Sequence, residues 1–486
     1  MITNEPISPP LTGTTADLQQ KHLQALMERY TERTKTSKQM TQVHRSVLAD
    51  PRVPQWFSCS LKEMCYLIVG QKAQGSKVWD VDGNEYIDII MGFGSNLLGH
   101  NPPCIKEAIV EQVEKGFPLG PQSEYAGEVA ELIRELTGME RVAFSNTGTE
   151  AVMTAIRLAR SYTKRKKIAI FTNSYHGHSD SVLVKSLGLK LPGIVENLGG
   201  NILTNRINSL AFPASRGIPY SVTKNTLMLE YGSPESLKII KANKDKLAAV
   251  VVEPIQSRKP DLQPKEFLHQ LRQLTQKSGT ALIFDEMVTG FRLHQGGAQA
   301  WFGVEADITA YGKVVGGGMP IGIIAGKRAY LDSIDGGMWD YGDASSPQVK
   351  KTFFAGTYCK HPLAIAASRA VLKYLKNQGP SLQEQLNYRT SQFVETLNSF
   401  FEANKLPIRM VNSGSFFGPV FTENAVLSKN FLMGFELLRY HLFDKGILLR
   451  GEGGGFLSTA HTDEDINSII KAIKDSFNEL KENGFF

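Results

Sequence analysis

Lys313 stands in "AYGKVVGGGMP" (310–320) as the sole charged residue between Tyr311 and Ile324. An ammonium group set among apolar residues and glycines loses hydration. Its pKa falls, and the neutral amine becomes a nucleophile toward carbonyls. A snorkelling surface lysine is the ordinary alternative, and the lack of neighbouring charge in the run disfavours it. A Walker A loop is excluded, because Lys313 precedes its glycines and no GxxxxGK[ST] occurs here. Two carboxylates close apolar runs upstream. Glu253 ends "AVVVE", and Asp285 ends "TALIFD" with Glu286 after it. A carboxylate leaving a buried strand needs a partner, which a ligand or a structural salt bridge would supply. "SNTGTEA" (145–151) brings Thr147, Gly148 and Thr149 to the start of a helical pattern, where free amides and hydroxyls suit a phosphate as well as an ordinary N-cap. "TNSYHGHSD" (172–180) offers Tyr175 and His176, which either stack on a flat ring or pack a loop.

The elements that must position these groups are legible. "RVAFSN", "KIAIFTN", "LAAVVVEPI" and "TALIFDE" are apolar throughout, as parallel strands covered on both faces are. Helical patterns separate them; in the first, Val152, Ala155, Ile156, Ala159 and Tyr162 share one face. The series reads as βαβ units and an α/β sheet, with ligands at the carboxyl ends of its strands. "KVWDVDGNEYIDI" (77–89) predicts a hairpin turning at Asp82-Gly83. A helical stripe runs from Asp17 to about Thr34. "HTDEDINSIIKAIKDSFNELK" opens a helix with Thr462 and Asp465 as a capping box. Residues 1–16 read as a flexible tether, 17–104 as an N-terminal helix and part of a small domain, 105–365 as the large domain and 366–486 as the rest of the small one.

Phosphate anchor, ring stacker, carboxylate and amine, on successive elements, suit one ligand, pyridoxal 5′-phosphate. The phosphate takes the helix N-terminus and the ring stacks on an aromatic. The aspartate keeps the pyridine nitrogen protonated, and the lysine forms a Schiff base. Gly316 to Gly318 are expected to leave room beside the cofactor.

The 486 residues carry a net charge of +6, with 42% hydrophobic and 21% charged residues, the composition of a folded globular protein. The four cysteines form no CxxC pair, so neither a metal centre nor a disulfide framework is expected. No run spans a bilayer, and the N-terminus has no basic and apolar signal regions. A cytoplasmic protein without membrane or nucleic-acid partners is the simplest expectation. The basic stretch Arg160–Lys167 holds a single aromatic, Tyr162, which belongs to the apolar face of the helical pattern, so base stacking is not indicated; an acidic protein partner is its milder alternative.

Together, "SNTGTEA", "YHGHSD", "VVEPIQS", "LIFDEMVTGFR", "ITAYGKVVGGGMPIG" and "FFAGTYCKHPLA" resemble the class III aminotransferases of the pyridoxal-phosphate type I fold. The branch is similar to glutamate-1-semialdehyde aminomutase. Within it, the chain resembles aminotransferase domains of hybrid polyketide/non-ribosomal peptide synthases. The fold implied is a large domain on a mixed, mostly parallel seven-stranded sheet, plus a smaller α+β domain. The resemblance makes Lys313 the Schiff-base lysine and Asp285 the partner of the pyridine nitrogen. Tyr175 matches the ring stacker with His176 beside it, and Thr147, Gly148 and Thr149 the phosphate loop. Met287 matches the apolar residue behind the ring and Glu253 a glutamate on the substrate side. Thr357 matches a threonine that reaches the phosphate of a neighbouring subunit, which implies a homodimer with shared sites. His361 stands where many members have Asn. Arg292, Arg52 and Phe93 are the substrate-side candidates. The activity implied is transfer of an amino group from a donor amino acid, glutamate by expectation, to a carrier-bound β-ketoacyl thioester in natural-product biosynthesis. An aminomutase acting on a free small molecule is the alternative. A decarboxylase or racemase would use the same cofactor residues, and a silent scaffold would bind no cofactor.

Overall fold

The computed structural model describes residues 14–52, 57–186, 209–422, 429–451 and 453–486. The expected tether lies outside the described residues up to residue 13, and the first helix, Thr14–Arg33, starts inside its predicted span.

The apolar runs form one seven-stranded sheet: β1 (Arg141–Ser145), β2 (Lys167–Phe171), β3 (Thr226–Leu229), β4 (Leu247–Val252), β5 (Ala281–Asp285), β6 (Ile308–Tyr311) and β7 (Gly322–Gly326). Their spatial order is β1-β7-β6-β5-β4-β2-β3. β7 runs antiparallel to β6 and β1, and the other pairings are parallel. Every residue of β3 to β7 is buried, which is why these strands show no polar alternation. The mixed, mostly parallel sheet is therefore as the sequence predicts. The helix Gly148–Thr163 buries Val152, Ala155, Ile156 and Ala159. Tyr162, on the same predicted face, lies exposed near the helix end and packs its ring on Tyr330.

The predicted hairpin is present. Lys77–Asp80 pairs antiparallel with Glu85–Asp88, and Gly83 takes the left-handed φ of 85° that the turn requires. Ile447–Leu448 joins this hairpin in parallel, so N- and C-terminal segments share one sheet. Ile408–Ser413, Phe416–Phe421 and Gly455–Phe456 form a second small sheet. The C-terminal helix Asp463–Glu482 carries the predicted capping box: Asp465 N–H donates to Thr462 Oγ1 and Thr462 N–H to Asp465 Oδ2.

Thr14–Arg33 packs on Lys429–Asp444 through a buried histidine pair. His22 Nε2 lies 3.0 Å from His441 Nε2, with the rings close to parallel. His441 Nδ1 lies 3.4 Å from Glu479 Oε2, on the side of the ring away from His22. Lys445 and Arg29 also hold Glu479, which leaves its carboxylate committed to cations rather than to a metal ion.

Candidate active site

The functional side chains emerge at the carboxyl ends of β1, β4 and β5 and at the turn after β6, where open α/β sheets bind ligands. Asp285, the last residue of β5, is buried. Its Oδ2 accepts from His176 Nδ1 at 2.8 Å, and its Oδ1 from Met287 N–H at 3.2 Å. Nδ1 thus bears the His176 proton, and the buried Nε2 has no partner among the described residues. Glu253, just beyond β4, accepts from Tyr175 N–H at 3.3 Å and Ser257 N–H at 2.8 Å. Burial pushes the Glu253 carboxyl above its ordinary pKa, and the nearby Asp285 charge adds to this. By holding the Tyr175 amide, Glu253 orders the loop on which Tyr175 lies half-exposed and His176 buried. The loop-packing alternative for Tyr175 does not describe that open ring.

Lys313 follows β6 and opens the short turn Lys313–Gly316 with a φ of 44°, a strained conformation for a side-chain-bearing residue. Burial lowers its pKa; Asp285 and Glu253 oppose the shift, while Arg450 and Arg292 reinforce it. The direction of the shift agrees with the expected depressed amine, and the group is electrostatically coupled to both carboxylates.

Thr147 caps the helix Gly148–Thr163, its hydroxyl accepting from Glu150 N–H at 3.2 Å. Ala151 N–H bonds Thr147 O, so the Gly148 and Thr149 amides are the first-turn donors without an intrahelical acceptor. Gly177 in the His176 loop lies against this turn with φ at 84°; a Cβ there would come within 2.5 Å of Thr149 Oγ1. Met287 wedges between two glycines. A Cβ on Gly148 would lie 2.6 Å from its Sδ, and one on Gly312 would lie 2.8 Å from it. Met287 therefore locks the Thr147–Thr149 turn, Asp285 and the Lys313 turn into one unit.

The remaining candidates are placed differently. Gly317 does not line a cofactor space: a Cβ there would meet Ile105 Cδ1 and Val371 Cγ2, each at 2.9 Å. Gly317 instead lets the Lys313 turn press against the helices Pro103–Lys115 and Pro362–Gln378, which corrects the expectation of room for the cofactor at that one glycine; a Cβ on Gly316 would meet Ile321 and one on Gly318 only Asn96 at 3.7 Å. Thr357 is exposed on a loop whose Gly356 lies against Asn146. Phe93 is exposed in a turn that packs on Lys313–Gly316. Arg292 is wholly buried; its Nη groups donate to Ser415, Leu457 and Gly94, its Nε has no partner among the described residues, and it is burial that sets it apart from an open substrate site. Arg52 is exposed and pairs with Asp50. Arg450 was not singled out in the sequence; its one signal there is a lone arginine opening the glycine-rich "RGEGGG". His361 caps Pro362–Gln378 by accepting from Leu363 N–H, so it does the capping work open to an asparagine.

Residues 59–477 match the family Aminotransferase class-III. The chain belongs to the class-III aminotransferases. It is 38% identical over 423 residues to glutamate-1-semialdehyde 2,1-aminomutase of Alkaliphilus oremlandii, covering 85% of this chain and 91% of that one. Among solved structures it is similar to a transaminase with pyridoxal phosphate bound (TM-score 0.77, 28% identity, 93% of this chain and 99% of that one). It is also similar to an omega-transaminase from Sphaerobacter thermophilus (TM-score 0.79, 26% identity, 92% and 98%). Three features of this class-III chain fit pyridoxal phosphate. A half-buried amine is electrostatically coupled to an oriented carboxylate, and among the described residues the His176 Nε2 and the Gly148 and Thr149 amides have no hydrogen-bond partner. The protein is a pyridoxal 5′-phosphate-dependent enzyme of transaminase type. Among the described residues no helix is long and apolar enough to cross a membrane.

Proposed function

We propose that this enzyme shifts an amino group within one small free substrate, as a glutamate-1-semialdehyde-type aminomutase. The observation that carries this reading is the 38% identity to such an aminomutase over 91% of its length. Bound pyridoxal phosphate supplies an electron sink for charge developing at the substrate carbon. Lys313 would hold the cofactor covalently, and its amine, when free, would take a proton from one substrate carbon and deliver one to the other. Burial keeps that amine poised to lose its own proton, the state a general base needs. Asp285, oriented by His176 and the Met287 amide, holds the proton on the ring nitrogen. Tyr175 covers the ring and Met287 backs it. Thr147, Gly148 and Thr149 bind the phosphate, and Glu253 fixes the Tyr175 loop at the substrate side. Thr357, exposed on its loop, serves the phosphate of a second copy in a homodimer.

A second reading, transfer from a donor such as glutamate to a separate keto acceptor, is favoured by the transaminase neighbours at 26–28% identity. A carrier-bound acceptor has no such support. In the basic stretch, Arg160 donates to Lys166 O and Arg165 to Leu247 O and Ser278 O, so these arginines are engaged within the fold. The test is to give the cofactor-loaded protein glutamate-1-semialdehyde alone. The aminomutase reading requires an isomer with the amine moved from carbon 2 to carbon 1 and no 2-oxo acid released. Turnover only when glutamate and a separate keto acceptor are both present, with 2-oxoglutarate formed, would replace it by the second reading.

A further inference from the structure

Arg292 has 0% exposure, and among the described residues no carboxylate pairs with it. Burying a guanidinium without a counter-charge is expensive, and apolar residues of similar volume fill such space at less cost. Its donors nevertheless have a definite distribution. Nη1 donates to Ser415 Oγ at 2.8 Å and to Leu457 O at 3.3 Å, and Nη2 donates to Gly94 O at 2.7 Å. The guanidinium also lies over the Phe456 ring, 5.1 Å from its centre. The three acceptors belong to segments far apart in sequence, and Arg292 itself follows β5 by seven residues (292 − 285).

Of the three, Gly94 is the informative one. It closes a run in which Met91, Gly92, Phe93 and Gly94 all have positive φ, at 46°, 59°, 55° and 92°. Met91 and Phe93 pay for left-handed backbone that glycine adopts freely, so the surroundings must hold them there. This turn packs on Lys313–Gly316 and exposes the Phe93 ring. A Cβ on Gly94 would lie 2.8 Å from Phe456 Cε1, so the ring beneath Arg292 also presses on the turn.

We propose that Arg292 is a positioning residue: through Gly94 O it holds the left-handed turn Met91–Gly94 against the Lys313 turn and so sets Phe93 at the substrate entrance. This rests on the reading of Lys313 as the reacting amine. Arg292 touches no substrate, and its buried charge is used to fix one strained backbone segment beside the chemistry.

The test compares wild type, Arg292→Met, Arg292→Lys and Phe93→Ala. Amide hydrogen exchange over residues 91–97 is followed in the cofactor-free proteins, where the outcome does not depend on the proposed reaction. Arg292→Met should raise exchange in that segment at least about tenfold, the loss expected for one hydrogen bond from a charged donor. In the loaded enzyme it should raise KM more than it lowers kcat. The Phe93→Ala effect on KM should largely disappear when added to Arg292→Met, as coupled residues behave. Arg292→Lys, which keeps a donor but not the fork, should fall between wild type and Arg292→Met. Should Arg292→Met not fold, unchanged exchange over 91–97 in Arg292→Lys overturns the proposal. So does strict additivity of the Phe93→Ala effect with either Arg292 variant. Failure of the aminomutase assay with altered exchange would instead reject the functional reading and leave the positioning role standing.

Discussion

His176 Nδ1 donates to Asp285 Oδ2 at 2.8 Å, and the opposite ring nitrogen, though buried, meets no acceptor or donor among the described residues. The pair sets the direction of a carboxylate that has no arginine or lysine bonded to it among the described residues. A carboxylate so prepared stabilises a positive proton-bearing atom delivered by a ligand. Asp285→Asn should keep the cofactor, read by its absorbance, and lower turnover about 10²–10³-fold, the usual loss for a preorganised electrostatic group. Unchanged turnover would remove Asp285 from the mechanism.

Lys313 gives a stability signature independent of turnover. Its folded pKa is lowered by burial, so the fold disfavours the ammonium. Between that lowered value and the free-lysine value of about 10.4, the unfolded chain binds the extra proton, and stability rises with pH. Cofactor-free Lys313→Met should therefore be more stable than wild type at pH 7, with the gap closing toward pH 10. Parallel thermal unfolding curves across that range would contradict the assignment of a buried, destabilised ammonium.

The histidine pair at the N-terminal helix predicts the opposite pH edge. Burial and His441 lower the His22 pKa from 6.5 to about 4, against Glu479; Arg29 and Lys445 push the same way as burial. A histidine depressed in the fold contributes stability above its unfolded value, and that contribution is lost as pH falls from 6.5 through about 4. Proteolytic release of the helix Thr14–Arg33 should accelerate over this interval. His22→Phe should flatten that dependence, as followed by limited digestion at pH 7.5 and pH 5.

Gly317→Val separates packing from cofactor binding. The new Cβ meets Ile105 and Val371 at a φ of 56°, so the cost falls on helix packing beneath the Lys313 turn. The expected loss is about 2–4 kcal/mol from overpacking and left-handed backbone together, measured by denaturant unfolding of the cofactor-free chain. A variant of wild-type stability that fails only in cofactor binding would restore the view of these glycines as space for the ring.

Much of this was legible in the sequence because the runs that form β1, β2, β4 and β5 are largely apolar and the groups of interest follow at their ends; the strands β3, β6 and β7 are not among those runs. Asp285 and Glu253 could be read as carboxylates leaving buried strands, and Asp82-Gly83 and Thr462/Asp465 as local signals that need no tertiary knowledge. What depended on tertiary proximity was hidden. Nothing local says that Gly317 faces Val371, that Met287 fits between Gly148 and Gly312, or that Arg292 reaches Gly94 O across the fold. An arginine beside a motif reads as a substrate ligand until its burial and three backbone and hydroxyl acceptors are seen. Arg450 was passed over because a lone arginine in a glycine-rich run carries no pattern of its own.

The central claim is that Lys313 is the amine that binds the cofactor. Protein loaded with pyridoxal phosphate, reduced with borohydride and digested should yield one peptide bearing the reduced cofactor on Lys313. Label on another lysine, or no covalent label in a cofactor-loaded protein, would contradict it.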